Sequence, residues 1–157
     1  MFRRIVSTRN EYAALILRLV LGAVFFAHGA QKALGWFGGY GFARTLTQFT
    51  TSMHIPEPLA LLAIAAEFLG GVGLIAGFLT RVAAAGIAVN MTVAIAMVHY
   101  RIGFFMNWSG TKKGEGFEFH LLVIAVALAL IIRGAGALSI DRLLTPSPEG
   151  STKGAAQ

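Results

Sequence analysis

Three polar side chains, Arg18, Glu67 and Asn90, stand inside long apolar runs of the chain. An ionisable group in such a run is costly unless it faces a partner or a cavity. At about 1.5 Å per residue, Arg18 lies roughly 9 Å from one end of its run, Asn90 roughly 14 Å and Glu67 roughly 20 Å. Because an extended arginine could cover much of the difference, we predict a buried Arg18–Glu67–Asn90 cluster and take it as the candidate functional site.

This predicted cluster has two interpretations, which the sequence leaves open. In the first, it only pins the helices together, since removing one member of a buried ion pair typically costs about 3–5 kcal/mol. In the second, it handles protons or binds a polar substrate, because a carboxylate deep in an apolar run is a functional-site hypothesis. No nucleophile–base constellation, phosphate loop or dinucleotide fingerprint accompanies it, so the catalytic residues are unknown.

Secondary candidates lie at the distal end of the runs, opposite to the chain termini: His28, Lys32, Glu118 and His120. Two opposed imidazoles can hold a haem, but His99 falls about 180° around its helix from Asn90 and should point away from the cluster. Glu118 and His120 are two residues apart and cannot share one helical face. A di-iron site needs Glu-x-x-His pairs and more carboxylates than the sequence has. We therefore predict no metal site and disfavour haem.

The elements that must position these residues are four apolar runs. Apolar residues make up 56% of the 157 residues and charged residues 13%, about half the charged share of a soluble protein. Each run approaches the roughly 20 residues that cross a hydrocarbon core. We predict an all-α integral membrane protein, a four-transmembrane-helix bundle at 12–144, with spans at about 12–34, 58–79, 82–99 and 117–136, an N-terminal cytoplasmic segment at 1–11 and a disordered tail at 145–157.

Charge and composition restrict the partners. The net charge is +6 and no cysteine is present, which excludes disulfides and thiolate ligands. The basic residues form no stripe that would indicate nucleic-acid binding, so anionic lipid is the expected counter-charge. With both termini in the cytoplasm, the inner side would hold Arg3, Arg4, Arg9, Arg81, Arg133, Arg142 and Lys153, and the outer side Lys32, Arg44, Arg101, Lys112 and Lys113. This bias favours a multi-pass protein of the cell (inner) membrane with both termini inside.

Several short motifs resemble those of the DoxX family of small four-helix membrane proteins. They are Arg18-Leu19 with Gly22, His28-Gly29-Ala30-Gln31-Lys32, Glu67-Phe68-Leu69-Gly70-Gly71, Gly77-Phe78-Leu79-Thr80-Arg81, Gly134-Ala135-Gly136 and Ser139-Ile140-Asp141-Arg142. The resemblance covers about residues 12–144. By position it implies that Arg18, Lys32 and Glu67 match the recurring charged residues of the family.

The resemblance implies a role near quinone-linked redox or oxidative-stress assemblies of the membrane. Our leading hypothesis is an accessory subunit that contacts a quinone or a redox protein through its bundle. A second hypothesis is a quinone-linked oxidoreductase in its own right, with Glu67 relaying protons and Arg18 or Lys32 polarising a quinone oxygen. A third is a small-molecule permease, which would require a homo-oligomer because four short helices alone cannot alternate access.

Overall fold

The computed structural model describes residues 2–145, and every element within that range is helical. The predicted disordered tail falls, except for Thr145, outside the described residues. The elements are α1 (Phe2–Val6), α2 (Tyr12–Ala33), a 3₁₀ turn (Trp36–Gly38), α3 (Phe42–Thr47) with a π turn (Gln48–Ser52), α4 (Glu57–Ala76), α5 (Thr80–Ala94) with a π turn (Ile95–His99), α6 (Glu118–Arg133) and α7 (Ile140–Leu143).

Three of these helices are long and apolar enough to cross a membrane. They are α2 with 22 residues, α4 with 20, and α5 together with its π turn with 20. The fourth long helix, α6, has 16 residues and therefore spans about 24 Å, less than the roughly 30 Å of a hydrocarbon core. The all-helical membrane architecture is thus present, whereas three rather than four helices reach spanning length.

Glycines allow α2 and α4 to pack with their backbones in contact. A Cβ atom on Gly29 would lie 2.4 Å from the Phe68 backbone, and one on Gly71 would lie 2.4 Å from the Phe26 backbone nitrogen. Real side chains do not approach so closely, so these positions require glycine for the observed separation. The two antiparallel helices are therefore locked in one register, which places Gly29 beside Phe68 and the neighbouring Glu67.

The turn between α4 and α5 is built from two local signals. Gly77 adopts φ +67° and ends α4, while the Phe78 amide donates to the Gly73 carbonyl at 2.8 Å, which is the pattern of a glycine-terminated helix. The carboxylate of Asp141, on α7, then accepts from the amides of Leu79 at 2.8 Å and Thr80 at 3.0 Å. A buried side chain from the far end of the chain thus caps α5.

Arg18 connects three segments at the proximal end, where α2 and α5 begin and α4 and α6 end. Its side chain is 1% exposed, and its guanidinium donates to five backbone carbonyls: Ala135 at 2.9 Å, Leu74 at 2.9 Å, Ile75 at 2.7 Å, Ala137 at 3.2 Å and Leu138. The last turn of a helix leaves its carbonyls without intrahelical partners. Arg18 donates to the Leu74 and Ile75 carbonyls in the last turn of α4 and joins them to residues 134–138. We call this arrangement the Arg18 clasp.

We expect Arg18→Gln to lower the free energy of unfolding by at least about 3 kcal/mol, because each hydrogen bond to a charged group contributes about 1.5–3 kcal/mol and glutamine has two N–H donors instead of five. Arg18→Lys should lie between Gln and wild type. Denaturant titration in detergent micelles measures the change. The matched control is Arg44→Gln, since Arg44 is exposed; equal losses at both positions would contradict the clasp.

Candidate functional site

Glu67 is the centre of a buried polar cluster between α2, α4 and α5. Its Oε2 forms an ion pair with the Lys32 ammonium, and its Oε1 accepts a hydrogen bond from the Asn90 amide nitrogen at 2.9 Å. The Glu67 side chain is 7% exposed. Three helices thus each contribute one member, and both carboxylate oxygens are occupied. We call these three residues the Lys32–Glu67–Asn90 site.

Glu67 and Asn90 lie well inside α4 and α5, whereas Lys32 lies near the end of α2. Glu67 is ten residues from the first residue of α4 and nine from the last, about 15 Å from either end. Asn90 is ten residues beyond Thr80, the first residue of α5. A charge at this depth is costly without a counter-charge, which explains why the carboxylate takes both the ammonium and the amide.

Lys32 reaches this carboxylate from the last turn of α2. Its side chain is 26% exposed, so the ammonium is the member of the site most accessible from outside the bundle. A lysine stem can lie along apolar surface while its ammonium seeks polar partners, and here the partner is inside rather than at the membrane surface. An ammonium has three N–H donors, and Glu67 takes one of them, which leaves donors for a further acceptor.

The predicted Arg18–Glu67 contact is wrong, because all five N–H groups of Arg18 donate to the carbonyls of the clasp. The Leu74 and Ile75 carbonyls that it binds lie seven and eight residues along α4 from Glu67, at least about 10 Å along the axis. The predicted Asn90–Glu67 contact is present. Lys32, expected only as a secondary candidate, replaces Arg18 as the partner of Glu67, whereas a functional role for any of these residues stays a prediction.

The histidines separate into two groups at the distal end. His28 is exposed on α2, with its ring centroid 6.5 Å from that of Phe25. His99 and His120 are together, with ring centroids 4.0 Å apart and planes tilted by 41°. A haem would need space between opposed imidazoles, and these two rings are in contact. Within the described residues, no group of three or more His, Asp or Glu side chains is arranged as metal ligands.

Glu118 lies apart from both clusters and organises the loop that joins α5 to α6. Its Oε1 accepts from the Met106 amide at 2.9 Å and from the Trp108 indole at 3.3 Å. As the two-residue spacing predicts, it does not share a direction with His120, which is buried in the bundle. The contacts of Glu118 are those of a loop-stabilising residue.

Known proteins are similar to this chain over most of its length. CatD of Bacillus subtilis, which carries the name of a candidate oxidoreductase, is 29% identical over 83% of this chain and 86% of its own. The inner membrane protein YqjF of Escherichia coli is 31% identical over 86% of this chain and 94% of its own. An uncharacterised protein of Haemophilus influenzae is 31% identical over 83% of this chain and 82% of its own.

No solved structure matches the chain significantly. A family model described as DoxX matches residues 13–100, a range that includes α2, α4, α5 and all three members of the Lys32–Glu67–Asn90 site. The resemblance seen in the sequence motifs is therefore confirmed, and the membrane nature follows from the family together with the apolar helices. The chain belongs to the DoxX family of membrane proteins.

Proposed function

We propose that α6, together with the residues that flank it, crosses the membrane as a fourth span. It packs against α5 and α2, and its outward side chains are large and apolar, with Leu122, Leu128 and Ile132 all exposed. An exposed apolar surface of this kind is suited to lipid rather than water. Glycine-rich backbone at 134–136 is tolerated at membrane depth only where it is covered by protein, and the clasp covers it.

The proposed orientation places both termini in the cytoplasm and the protein in the cell (inner) membrane. It rests on the excess of basic residues at the proximal end, where Arg133 also pairs with Glu11 at 3.0 Å and the Arg81 guanidinium donates to the Ser7 carbonyl at 3.1 Å. The name of YqjF as an inner membrane protein supports the same membrane. The Lys32–Glu67–Asn90 site is then approached from the outer half.

We propose that the chain is an accessory subunit of a quinone-linked membrane redox or oxidative-stress assembly, and that the Lys32–Glu67–Asn90 site binds the quinone ring. The observation that carries this proposal is the ammonium of Lys32, held by a buried carboxylate yet partly exposed. A quinone ring is apolar with two carbonyl oxygens, so it needs hydrogen-bond donors at membrane depth. A half-buried lysine can supply such a donor.

The residues fit such a ligand. Lys32 can donate to one quinone oxygen, while Glu67 keeps the ammonium in place and compensates its charge. Asn90 holds the second carboxylate oxygen, so that Glu67 cannot rotate away. When bound, a quinone would supply two-electron, two-proton redox chemistry; the chain itself would bind the ring, orient it and hold a proton at the Lys32 ammonium.

An alternative is that the chain is itself the quinone-linked oxidoreductase, and the name of CatD favours it. The accessory role is preferred because the described residues outside the helices form only loops, the longest at residues 100–117, with no separate domain that could hold a second redox substrate. The two roles differ in what the isolated chain can do. Turnover of a quinol by the purified chain alone would establish the oxidoreductase, whereas co-purification with a redox protein that carries the turnover supports the accessory role.

The binding proposal is tested by measuring quinone retained after purification in mild detergent, by extraction and mass spectrometry. We expect wild type to retain quinone and Lys32→Gln to bind it at least about tenfold more weakly, because a hydrogen bond to a charged group contributes about 1.5–3 kcal/mol and 1.4 kcal/mol is tenfold. Lys113→Gln, at an exposed lysine of the distal loop, is the matched control and should retain the wild-type amount.

Gel filtration separates lost binding from lost structure, since a Lys32→Gln protein that stays monodisperse but empty supports the proposal. Wild-type protein that carries no quinone and takes none up from quinone-loaded micelles would refute it. Equal retention by Lys32→Gln and wild type would refute the assignment to this site.

A further inference from the structure

The contact between His99 and His120 is not used by the proposed quinone site, from which it is separated by about 13 Å along α5. His99 is in the π turn that ends α5, and His120 is in the first turn of α6. A π turn places its side chains out of the phase of the preceding α-helix and is frequent at functional sites. Here it directs His99 toward α6.

The hydrogen bonding of His99 determines its tautomer. Its Nδ1 lies 2.8 Å from the carbonyl oxygen of Glu115, and because a carbonyl can only accept, Nδ1 carries the hydrogen. In the neutral ring, Nε2 therefore carries a lone pair that is available to a ligand. A backbone carbonyl that fixes the other ring nitrogen is the usual support of a histidine that binds a metal.

The His120 side chain has a buried ring nitrogen without a hydrogen-bond partner in residues 2–145. The residue is 7% exposed, and its Nδ1 is buried without a partner among the described residues. A buried nitrogen left unpaired is costly, and such groups in native proteins call for an explanation such as a functional role or a bound ion or water. The His120 ring contacts the ring of His99, whose Nε2 accepts no hydrogen bond among the described residues.

We propose that His99 and His120 bind one transition-metal cation of the class that prefers imidazole, represented by Zn²⁺ or Cu²⁺. Coordination would use one nitrogen lone pair of each ring and would satisfy the buried Nδ1 of His120. At a metal–nitrogen distance of about 2.0–2.1 Å, two imidazoles on a tetrahedral ion require their rings to separate by roughly 1 Å from the present contact. His99, which is half-buried in a π turn, can supply this movement.

Within the described residues, no third His, Asp or Glu side chain joins the pair as a metal ligand. The carboxylates of Glu115 and Glu118 accept hydrogen bonds from loop donors instead, the Asn107 amide for Glu115 and the Met106 amide and Trp108 indole for Glu118. With two protein ligands, water or an exogenous ligand completes the coordination.

The test is calorimetric titration of Zn²⁺ into the chelator-treated full chain in detergent, together with electron paramagnetic resonance of the Cu²⁺-loaded protein. We expect one Zn²⁺ per chain and a copper spectrum with hyperfine splitting from nitrogen ligands. His99→Ala should weaken Zn²⁺ binding at least tenfold, and His120→Gln should do the same while retaining a polar side chain in the buried position. Both readouts are independent of quinone, so they can fail or succeed separately from the proposed function.

His28→Ala and His54→Ala are the matched controls, because both histidines are exposed and neither contacts the pair. They should bind Zn²⁺ as wild type does. The proposal is overturned if wild type shows no saturable Zn²⁺ binding, or if His99→Ala and His120→Gln keep wild-type affinity. Loss of binding in the control variants to the same extent would also overturn it, since the ion would then be held elsewhere.

Discussion

The five hydrogen bonds of the Arg18 guanidinium are the interaction on which the rest of the structure depends. A buried arginine could have formed a direct ion pair, but here its hydrogen bonds go to carbonyl oxygens from the end of α4 and from 134–138, and the charge of Asp141 adds a favourable interaction without a salt bridge. This choice has two consequences. It closes the proximal end of the bundle around non-helical backbone, and it leaves Glu67 without an arginine. The carboxylate at mid-depth therefore depends on Lys32 and Asn90.

The two ends of the bundle therefore differ in how far their charged and polar side chains are occupied by partners within the chain. At the proximal end the charged groups of the clasp and the cap have internal partners, because Asp141 caps α5 and the Arg18 donors are all used, whereas the Thr80 hydroxyl and the Arg81 Nε have none among the described residues. At the distal end, the Lys32 ammonium has N–H donors that Glu67 does not use, and Nε2 of the His99 ring has a lone pair without a partner among the described residues. The family motifs divide in the same way. Those at 77–81, 134–136 and 139–142 build the clasp and the α5 cap, whereas those at 28–32 and 67–71 contain Lys32 and Glu67.

Much of this arrangement could be predicted from the sequence, and the reason for the failures is physical. The apolar runs located the long helices, and Asn90 was correctly paired with Glu67. The Arg18 partner was missed because backbone carbonyls leave no residue-type signal, and the depth estimate assumed that only side chains could compensate a charge. Lys32 was underestimated since its position at the end of α2 suggested an orientation toward the membrane surface.

The histidines show the same limit. A regular α-helix predicts that His99 points away from Asn90, and in the structure its ring indeed contacts α6. The sequence did not reveal that His120 would meet it, because the π turn and the loop over residues 100–117 set the approach of the two rings. The length of α6 was overestimated for a related reason. Gly134 ends the helix, and the residues after it turn back to the clasp instead of continuing the helix.

Two double-mutant cycles of unfolding free energy in micelles measure whether Glu67 is electrostatically coupled to Lys32 or to Arg18. For Lys32→Ala with Glu67→Ala, we expect a coupling of about 1–3 kcal/mol, as found for residues in contact. For Arg18→Gln with Glu67→Ala, we expect additivity within about 0.5 kcal/mol, as for residues that share no partner. Additivity in the first cycle together with strong coupling in the second would show that Arg18, and not Lys32, is the partner of Glu67.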